Sequence, residues 1–257
     1  SDGFLGSHLC ELLVKKNYEI KALTYYNSFN SKGWLDTIPK EINQNINFVA
    51  GDIRDKELVK SAMSGCDCVI HLAALIAIPY SYVSPKSYIE TNIVGTYNVL
   101  QSARELATEK IIHTSSSEVY GTAQKVPIDE NHPLEGQSPY AATKIAADQL
   151  ALSFYRSFDI PLAILRPFNI YGPRQSSRAV IPTIISQINN NIKNIELGNL
   201  DPTRDFTYVT ETARAFELSI KAKKNIGEVI NIGSNFDISI RDTFQLIAEK
   251  MNKDVKI

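Results

Sequence analysis

Short apolar runs alternate with longer amphipathic stretches, and this alternation constrains the fold more than any other feature of the sequence. The runs with a strand pattern cover residues 18–24, 45–50, 68–71, 110–115 and 162–166, with helical patterns between them. Parallel strands need a long crossover connection, usually a helix, and such crossovers are right-handed. We therefore predict an α/β fold with a doubly wound, mostly parallel sheet.

The alternation loosens after about residue 170, where helical and extended patterns become shorter and less regular. We therefore predict one domain over residues 1–170 and a smaller lobe, interleaved with it, over residues 171–257. No strand precedes the first helix, and residues 255–257 read as the start of another strand. We expect from this that both ends of the folded protein are missing from the sequence.

Composition excludes several classes of function. The 257 residues are 44% hydrophobic and 21% charged, with a formal net charge of −1, so there is no electrostatic reason to expect a nucleic-acid or membrane partner. No signal peptide or bilayer-spanning stretch is evident, and we expect a cytoplasmic protein. The cysteines Cys10, Cys66 and Cys68 are too few for a disulfide framework. No His/Cys pairs have zinc spacing, so no metal site is predicted.

Two glycines three residues apart open the first predicted helix, in the run Gly3-Phe4-Leu5-Gly6. The N-terminus of a helix attracts anions, and glycine lets a pyrophosphate approach the backbone closely. The full dinucleotide fingerprint also has a preceding strand and one more glycine, which are absent before Gly3. Together with the alternation, the run indicates a Rossmann-type fold whose first strand is missing.

The choice between NAD and NADP stays open from the sequence. Folds that prefer NAD usually carry an acid at the end of the second strand, where it holds the ribose 2′-hydroxyl. Thr24 stands at about this place, and no arginine follows that would bind a 2′-phosphate, although Lys32 is near. NAD is the predicted cofactor, with NADP as the alternative.

A tyrosine and a lysine stand four residues apart near the start of a predicted helix, as Tyr140 and Lys144. An α-helix turns once in about 3.6 residues, so both side chains project from one face. The pKa of a free tyrosine is about 10, and a nearby cation lowers it by roughly 1–3. The pair is therefore a candidate general base near neutral pH. A core tyrosine beside a solvated lysine is the competing interpretation.

Small and polar residues follow two predicted strands at their carboxyl ends, where open α/β sheets bind ligands. The strand at 68–71 is followed by Leu72, Ala73 and Ala74. The strand at 110–115 is followed by Ser116, Ser117 and Glu118. Small residues let a ligand approach, and hydroxyls beside a carboxylate indicate a reactive site.

Six short motifs follow one another along the chain. They are Gly3-x-x-Gly6, His71-Leu-Ala-Ala74, Asn92-x-x-Gly95-Thr96, the run from Ser115 to Gly121, Tyr140-x-x-x-Lys144 and Arg166-Pro-Phe-Asn169. In this order they resemble the extended short-chain dehydrogenase/reductase family, the NAD-dependent epimerases and dehydratases of nucleotide sugars. The resemblance covers essentially the whole chain and implies a tightly held nicotinamide cofactor.

The resemblance implies catalytic roles by position. Tyr140 would take the proton of the sugar 4-hydroxyl, Lys144 would lower the pKa of that phenol, and Ser116 would hydrogen-bond the same hydroxyl. Glu118 matches the base that removes the C5 hydrogen in 4,6-dehydratases. Ser117 stands where those enzymes carry an aspartate that protonates the departing 6-hydroxyl, so the proton source is open between Glu118 and a water.

The resemblance also implies binding residues. The cofactor positions are Gly3, Phe4, Leu5, Gly6, Asp52, Ile53, Leu72, Ala73, Ala74, Asn92, Tyr140 and Lys144. The positions that would hold the substrate's nucleotide diphosphate are Asn169, Arg178 and Arg204. Residues 1–170 are thereby predicted to bind the dinucleotide and residues 171–257 the nucleotide sugar.

Three further stretches narrow the resemblance, at residues 26–35, 74–82 and 173–182. They are similar to the UDP-N-acetylglucosamine 4,6-dehydratases of bacterial legionaminic acid biosynthesis, which implies a UDP-4-keto-6-deoxy product formed through transient oxidation at C4. UDP-glucuronate decarboxylases, which carry a Ser-Glu pair at the serine-rich turn, are one alternative, and 4-epimerases are another. A non-catalytic dinucleotide-binding protein is an alternative of another class, although such proteins commonly lose the Tyr/Lys pair.

The resemblance further implies a homodimer. Two long helices of each subunit, here about 86–106 and 139–157, would form a four-helix interface. Apolar positions such as Ile93, Val99, Leu100, Ile145, Leu150 and Leu152 exceed what one buried helix face needs, which suggests two buried faces. We therefore expect association with a second copy of the chain.

Overall fold

The computed structural model describes residues 1–257 and divides into two compact units. Unit 1 comprises Ser1–Pro167 and Thr210–Ile232, and unit 2 comprises Phe168–Val209 and Gly233–Ile257. The chain enters unit 2 slightly before the predicted boundary at residue 170, and a later segment returns to unit 1. The binding roles predicted for the two parts stay predictions.

Strands and helices alternate as the sequence predicts. The strands are β1 (Ile20–Tyr25), β2 (Ile46–Gly51), β3 (Cys68–His71), β4 (Lys110–Thr114), β5 (Leu162–Pro167), β6 (Asn169–Tyr171), β7 (Thr203–Tyr208), β8 (Val229–Ile232) and β9 (Asp237–Ser239). The α-helices are α1 (Phe4–Lys15), α2 (Lys40–Asn43), α3 (Lys56–Met63), α4 (Ile78–Val83), α5 (Pro85–Tyr88), α6 (Gly95–Leu106), α7 (Pro139–Phe158), α8 (Val180–Asn189), α9 (Val209–Lys221) and α10 (Ile240–Lys250). None of these helices has the length and apolar content needed to cross a membrane.

All strand pairs in unit 1 are parallel. β1 pairs with β2 in the register Ile20↔Ile46 to Tyr25↔Gly51, and a four-stranded sheet has the order β3-β4-β5-β8. Each connection between paired strands contains at least one helix, as parallel pairing requires. The predicted parallel sheet is therefore confirmed.

Helices cover both faces of the four-stranded sheet. Successive residues of a strand point to opposite faces, so neighbouring residues of β4 pack against different helices. Ile111 of β4 lies in an apolar cluster with Val99 of α6 and with residues of α3 and α7. The next residue, Ile112, lies in a second cluster with Leu9 of α1 and Phe216 of α9. The predicted doubly wound arrangement is thus confirmed.

A cavity lies between β1 and β3, which each pair with a strand on one side only. Leu23 of β1 and residues Cys68–His71 of β3 line it. The backbone nitrogen of Ser1 reaches the same place and donates to the carbonyl of Leu23 at 2.7 Å.

Unit 2 carries a three-stranded sheet of order β6-β7-β9. β6 runs parallel to β7, with Asn169 opposite Phe206, and β9 runs antiparallel to β7. Helices α8 and α10 pack together through the buried side chains of Ile184 and Phe244. Residues 255–257, which were predicted to begin a strand, form only an isolated bridge, between Lys256 and Asn194.

A π-helical segment, Ile89–Val94, interrupts the helix that was predicted over about residues 86–106. The wider turn lies between α5 and α6 and contains Asn92. Segments of this kind are rare and are frequently found at functional sites.

The apolar residues named for the dimer helices divide between two environments. Val99, Leu100 and Leu152 are buried in one cluster with β4 and β5, whereas Ile93, Ile145 and Leu150 are only half-buried. Other apolar side chains on or next to the same helices are exposed, namely Ile89, Val94, Tyr97 and Phe158. The homodimer stays a prediction, and these exposed side chains are further candidates for its interface.

Candidate active site

Helix α7 presents Tyr140 and Lys144 one turn apart. Ser138 caps the helix by accepting a hydrogen bond from the Ala141 N–H at 3.0 Å. Both side chains are buried, with exposed fractions of 6% and 5%. The Lys144 ammonium donates to the backbone carbonyl of Thr114, the last residue of β4. The pair therefore lies against the carboxyl end of a central strand.

Burial moves the pKa values of this pair in opposite directions. It raises the pKa of Tyr140 to about 12; a hydrogen bond with Ser116 acts against this rise, and the Glu118 carboxylate adds to it. Burial lowers the pKa of Lys144 to about 8, and the Asp148 carboxylate opposes that change. The expected lowering of the tyrosine pKa by Lys144 is not found, because the cost of desolvating a phenolate dominates and it is the Ser116 hydrogen bond that opposes it.

The three polar residues after β4 form a compact turn. Ser117–Tyr120 is a single 3₁₀ turn, and the Ser116 hydroxyl caps it by accepting from the Glu118 N–H at 3.2 Å. Gly121 ends the turn with φ of 64°, a conformation that favours glycine. The Ser116, Ser117 and Glu118 side chains are half-buried. A hydrogen bond with Ser116 lowers the pKa of the Tyr140 phenol, and the Glu118 charge raises it.

Asn92 ties the π-helical segment to α7. Its side-chain amide donates to the Thr143 hydroxyl and to the Leu75 carbonyl, both at 3.0 Å, and accepts from the Leu75 N–H at 2.8 Å. Thr143 in turn donates to the carbonyl of Tyr140. Asn92 is 1% exposed and donates both of its amide hydrogens, so it supports the helix that carries Tyr140; its contact with a cofactor stays a prediction.

The start of α1 leaves backbone donors available to an anion. Gly3 is the N-cap residue and no side chain caps the helix, so the N–H groups of Phe4, Leu5 and Gly6 lack a capping acceptor. A Cβ atom on Gly3 would meet nothing within 4 Å, whereas one on Gly6 would lie 2.5 Å from the Ser1 carbonyl oxygen. Open space at Gly3 and close packing at Gly6 fit a dinucleotide pyrophosphate.

The remaining predicted cofactor residues follow β2 and β3. Asp52 forms an ion pair with Arg54 at 2.5 Å, and the hydrogen bond from that guanidinium lowers the pKa of the carboxyl. Ile53 is buried, and its carbonyl accepts from Asn98. Half-buried residues directly follow β3, namely Leu72, Ala73 and Ala74. All of these positions lie at carboxyl ends of parallel strands, where this class of sheet binds ligands.

Thr24 is not placed to bind a ribose. It is 3% exposed, and its hydroxyl donates to the Val49 carbonyl at 3.5 Å. The exposed end of β1 is Tyr25, whose N–H donates to the carboxylate of Asp2 at 2.9 Å. An acidic side chain therefore does stand at this strand end, but it belongs to Asp2, which directly precedes Gly3 at the start of α1.

The predicted substrate residues all lie in unit 2. Asn169 begins β6, Arg204 is the second residue of the neighbouring strand β7, and Arg178 precedes α8. Both arginines are exposed, and the Arg204 guanidinium donates to the Thr203 carbonyl at 2.8 Å. Guanidinium groups suit phosphate oxygens, and the diphosphate role stays a prediction.

Comparison with known proteins decides the family. The family model described as GDP-mannose 4,6 dehydratase matches residues 1–257. The chain belongs to this family. The predicted membership in the extended short-chain dehydrogenase/reductase group of nucleotide-sugar epimerases and dehydratases is thereby confirmed.

Relatives of this family member include dehydratases and epimerases. Human dTDP-D-glucose 4,6-dehydratase is 35% identical over 255 residues, covering 96% of the chain and 72% of the human protein. A putative UDP-glucose 4-epimerase of Methanocaldococcus jannaschii is 34% identical over 254 residues, covering 97% of the chain and 80% of that protein.

Solved structures show the same two activities. The UDP-N-acetylglucosamine 4-epimerase of Methanobrevibacter ruminantium superposes with a TM-score of 0.90 at 30% identity, covering 100% of this chain and 81% of that one. A double mutant of the dTDP-glucose 4,6-dehydratase of Streptomyces venezuelae, with NAD bound, gives 0.87 at 28% identity, with 98% and 80% covered.

In this epimerase/dehydratase chain, sequence reasoning missed a buried polar cluster next to the catalytic pair. Its centre is Asp148, which accepts hydrogen bonds from Ser115 and Arg166. Asp148 follows Lys144 by one helical turn, so the same spacing that connects Tyr140 with Lys144 could have placed it on their face of α7. Spacing alone does not reveal its partners on β5 and after β4.

Proposed function

We propose that this protein is a nucleotide-sugar 4,6-dehydratase that converts UDP-N-acetylglucosamine to a UDP-4-keto-6-deoxy sugar for legionaminic-acid-type surface sugars of bacteria. The observation that carries this proposal is the half-buried Glu118, held in the turn after β4 so that its charge acts on the Tyr140 phenol. A dehydratase needs one base for the 4-hydroxyl and a second for the C5 hydrogen. Tyr140 and Glu118 supply these two groups.

NAD is the cofactor that the described residues fit best. The glycine turn and the uncapped start of α1 suit a pyrophosphate. The Asp2 carboxylate at the end of β1 would repel the 2′-phosphate of NADP. When bound, NAD supplies the oxidant for C4 and a positively charged ring that favours the phenolate form of a neighbouring tyrosine.

Tyr140 takes the first proton of the reaction. Its pKa of about 12 means that positive charge must favour the phenolate before it can act near neutral pH, and Lys144 contributes part of that charge. The phenolate accepts the proton of the 4-hydroxyl, while the Ser116 hydroxyl holds the same oxygen. The C4–O bond then becomes a ketone, because C4 also loses its hydrogen with two electrons.

Glu118 acts in the second step. The 4-ketone acidifies the C5 hydrogen, and the Glu118 carboxylate accepts it as a proton. Ser117 is too weak an acid to protonate the departing 6-hydroxyl, so the newly formed Glu118 carboxylic acid returns its proton there and water leaves. The hydrogen taken from C4 then adds to C6 and a solvent proton adds to C5. Tyr140 releases to solvent the proton that it took from the 4-hydroxyl, and the sugar has lost one water without net oxidation.

A 4-epimerase is the second candidate, because the Methanocaldococcus jannaschii relative and the Methanobrevibacter ruminantium structure have that activity in their names. An epimerase would use Tyr140 and Ser116 in the same way but would give Glu118 no proton to remove. The half-buried position of Glu118 within the catalytic turn therefore favours the dehydratase.

Incubation of the full-length protein with UDP-N-acetylglucosamine tests the proposal. The expected product has lost one water, carries a 4-ketone in its NMR spectrum and forms without carbon dioxide. A product of unchanged mass and inverted C4 would establish the epimerase. Carbon dioxide and a pentose from UDP-glucuronate would establish a decarboxylase. Preferred turnover of dTDP-glucose or GDP-mannose would correct the substrate, and NAD binding without any turnover would support the non-catalytic alternative.

A further inference from the structure

One fully buried carboxylate joins the catalytic helix to two strands. Asp148 of α7 is 0% exposed. Its Oδ2 atom accepts from the Ser115 hydroxyl at 2.7 Å and from Nε and Nη2 of Arg166 at 3.1 and 3.0 Å. Its Oδ1 atom lies 3.3 Å from Nε2 of His113. Since His113 is on β4, Ser115 follows β4 and Arg166 is on β5, Asp148 anchors α7 to both strands.

Arg166 extends the network to the turn that carries the predicted second base. Its Nη1 donates to the Tyr120 hydroxyl at 3.0 Å, and that hydroxyl donates to the Asn231 side chain on β8 at 2.7 Å. Tyr120 is the last residue of the 3₁₀ turn that contains Glu118. The network therefore reaches both ends of the short segment that presents the catalytic hydroxyl and carboxylate.

We propose that Asp148 is a positioning residue whose buried charge, held by Arg166, fixes α7 against the strand ends and sets the electric field at Tyr140 and Lys144. Because it concerns the reaction proposed above, this role depends on that function. Stability alone gives little reason for the charge, since a buried ion pair is generally no more stabilising than apolar packing of the same volume. Leaving either partner unpaired, in contrast, is costly.

The field at the catalytic pair comes from a defined set of titratable and charged groups. They are His71 on β3, Tyr88 on α5, His113 on β4, Glu118 in the 3₁₀ turn, Asp148 on α7 and Arg166 on β5. Burial lowers the pKa of both histidines, so they are neutral near pH 7. The charged groups that remain around the pair are two carboxylates and one guanidinium.

The sign of the Asp148 effect is the same on both catalytic groups. Burial is the larger influence on each pKa, but the Asp148 charge raises the pKa of Tyr140 and of Lys144. A negative charge disfavours a phenolate and favours an ammonium, so both groups hold their protons more tightly. Removal of this charge also leaves Arg166 uncompensated, which acts in the same direction. Both pKa values should therefore fall in its absence.

The substitution Asp148→Asn tests this effect, because asparagine has nearly the same shape and keeps one acceptor oxygen. The measurement is the pH dependence of kcat/KM with the nucleotide sugar that the wild-type enzyme converts. We expect both limbs of the profile to move to lower pH by about one pH unit, with kcat reduced roughly tenfold and KM little changed. A folded variant with the wild-type profile would overturn the proposal.

Lys110→Met is the matched control for general destabilisation. Lys110 is buried at the opposite end of β4, where its ammonium donates to Asn225 at 2.8 Å and to the Ala222 carbonyl. Loss of these bonds should lower the Tm without touching the Asp148 network. We expect its pH profile to stay in place, and a shift equal to that of Asp148→Asn would show that destabilisation alone explains the effect.

A second readout needs no turnover and separates this inference from the proposed function. A double-mutant cycle between Asp148→Asn and Lys144→Met on the free energy of unfolding should show favourable coupling at pH 7. The coupling should fade above about pH 8, as Lys144 loses its proton. Absence of coupling at pH 7 would refute the role of Asp148 even if no substrate were found. An active wild-type enzyme with no coupling would refute this role alone.

Should Asp148→Asn fail to fold, Ser115→Ala decides the positioning role. It removes one hydrogen bond to the Asp148 carboxylate and leaves every charge in place. The expected result is a several-fold loss of kcat with unchanged KM and an unshifted pH profile. Wild-type kcat in this variant would contradict the proposal.

Discussion

The N–H of Tyr25, at the exposed end of β1, donates a 2.9 Å hydrogen bond to the carboxylate of Asp2. Asp2 directly precedes Gly3 in the turn that opens α1, so a negative charge stands at the strand end that meets the adenosine ribose in dinucleotide folds. An acidic side chain thus stands at this strand end, and it comes from the residue before Gly3 and not from the strand itself.

Asp2→Asn should weaken the preference for NAD. Asparagine still accepts the hydrogen bond from Tyr25 but no longer repels a 2′-phosphate, so we expect the affinity for NADP relative to NAD to rise about tenfold, the effect of roughly 1.4 kcal/mol. Fluorescence titration with both cofactors measures the ratio. Asp36→Asn, an exposed acid in the next loop, is the control and should leave it unchanged. An unaltered ratio in Asp2→Asn would exclude Asp2 as the selecting group.

Tyr140→Phe should abolish turnover while leaving the cofactor bound. Only the proton acceptor is lost, and acid–base catalysis typically contributes ~10²–10⁴-fold. Steady-state rates and the absorbance of bound nicotinamide check the two parts of this prediction. Tyr155→Phe, in the same helix but facing the core cluster, should keep its rate. A near wild-type rate in Tyr140→Phe would remove this phenol from the mechanism.

Glu118→Gln should stop the reaction after oxidation at C4. The amide cannot accept the C5 proton, so reduced nicotinamide should accumulate and solvent deuterium should enter C5 only with the wild-type enzyme. Absorbance and NMR follow these two signals. Ser117→Ala is the control and should still exchange C5, because the serine hydroxyl has no assigned proton to transfer. Deuterium at C5 in Glu118→Gln would assign the second base elsewhere.

The buried Lys144 should make stability rise with pH. Burial lowers its pKa from 10.5 to about 8, so between these values the unfolded chain binds more protons than the folded one. The free energy of unfolding therefore increases with pH in this window. Relative to Lys144→Met, which lacks the titration, the wild-type protein should gain about 2–3 kcal/mol between pH 8 and 10. Denaturant unfolding at several pH values measures the difference; a constant difference would mean that the ammonium is not desolvated.

Tyr97→Glu should produce a monomer if the exposed apolar residues on α6 and α7 form a dimer interface. Tyr97 is 42% exposed, and its ring lies 6.3 Å from that of Phe154, which stacks edge-on with Phe158. A charge there would be buried between two copies without a partner. Light scattering at micromolar concentration gives the mass. Leu218→Glu, at an exposed position of α9, should remain dimeric, and a monomeric wild-type protein would refute the interface.

Local patterns were sufficient for most of the fold. The predicted strand at 68–71 coincides with β3, and the one at 110–115 differs from β4 by a single residue, because apolar runs and turn signals are encoded within a few neighbouring positions. The π-helical segment at 89–94 was not predictable in this way, since its apolar spacing still fits an ordinary helix. Its wider turn is held by the hydrogen bond from Asn92 to Thr143, which lies 51 residues away in the chain.

The order of strands and helices, the placement of Tyr140 and Lys144 on one helix face, and the family motifs could all be read from spacing along the chain. The proton affinities and the partners of those groups depend instead on how the chain packs. Tyr140 has a pKa of about 12 and Lys144 one of about 8 because packing removes both from water. Asp148 meets Ser115 and Arg166 from 33 and 18 residues away. Desolvation and long-range contacts arise only when the chain is packed, so no local pattern contains them.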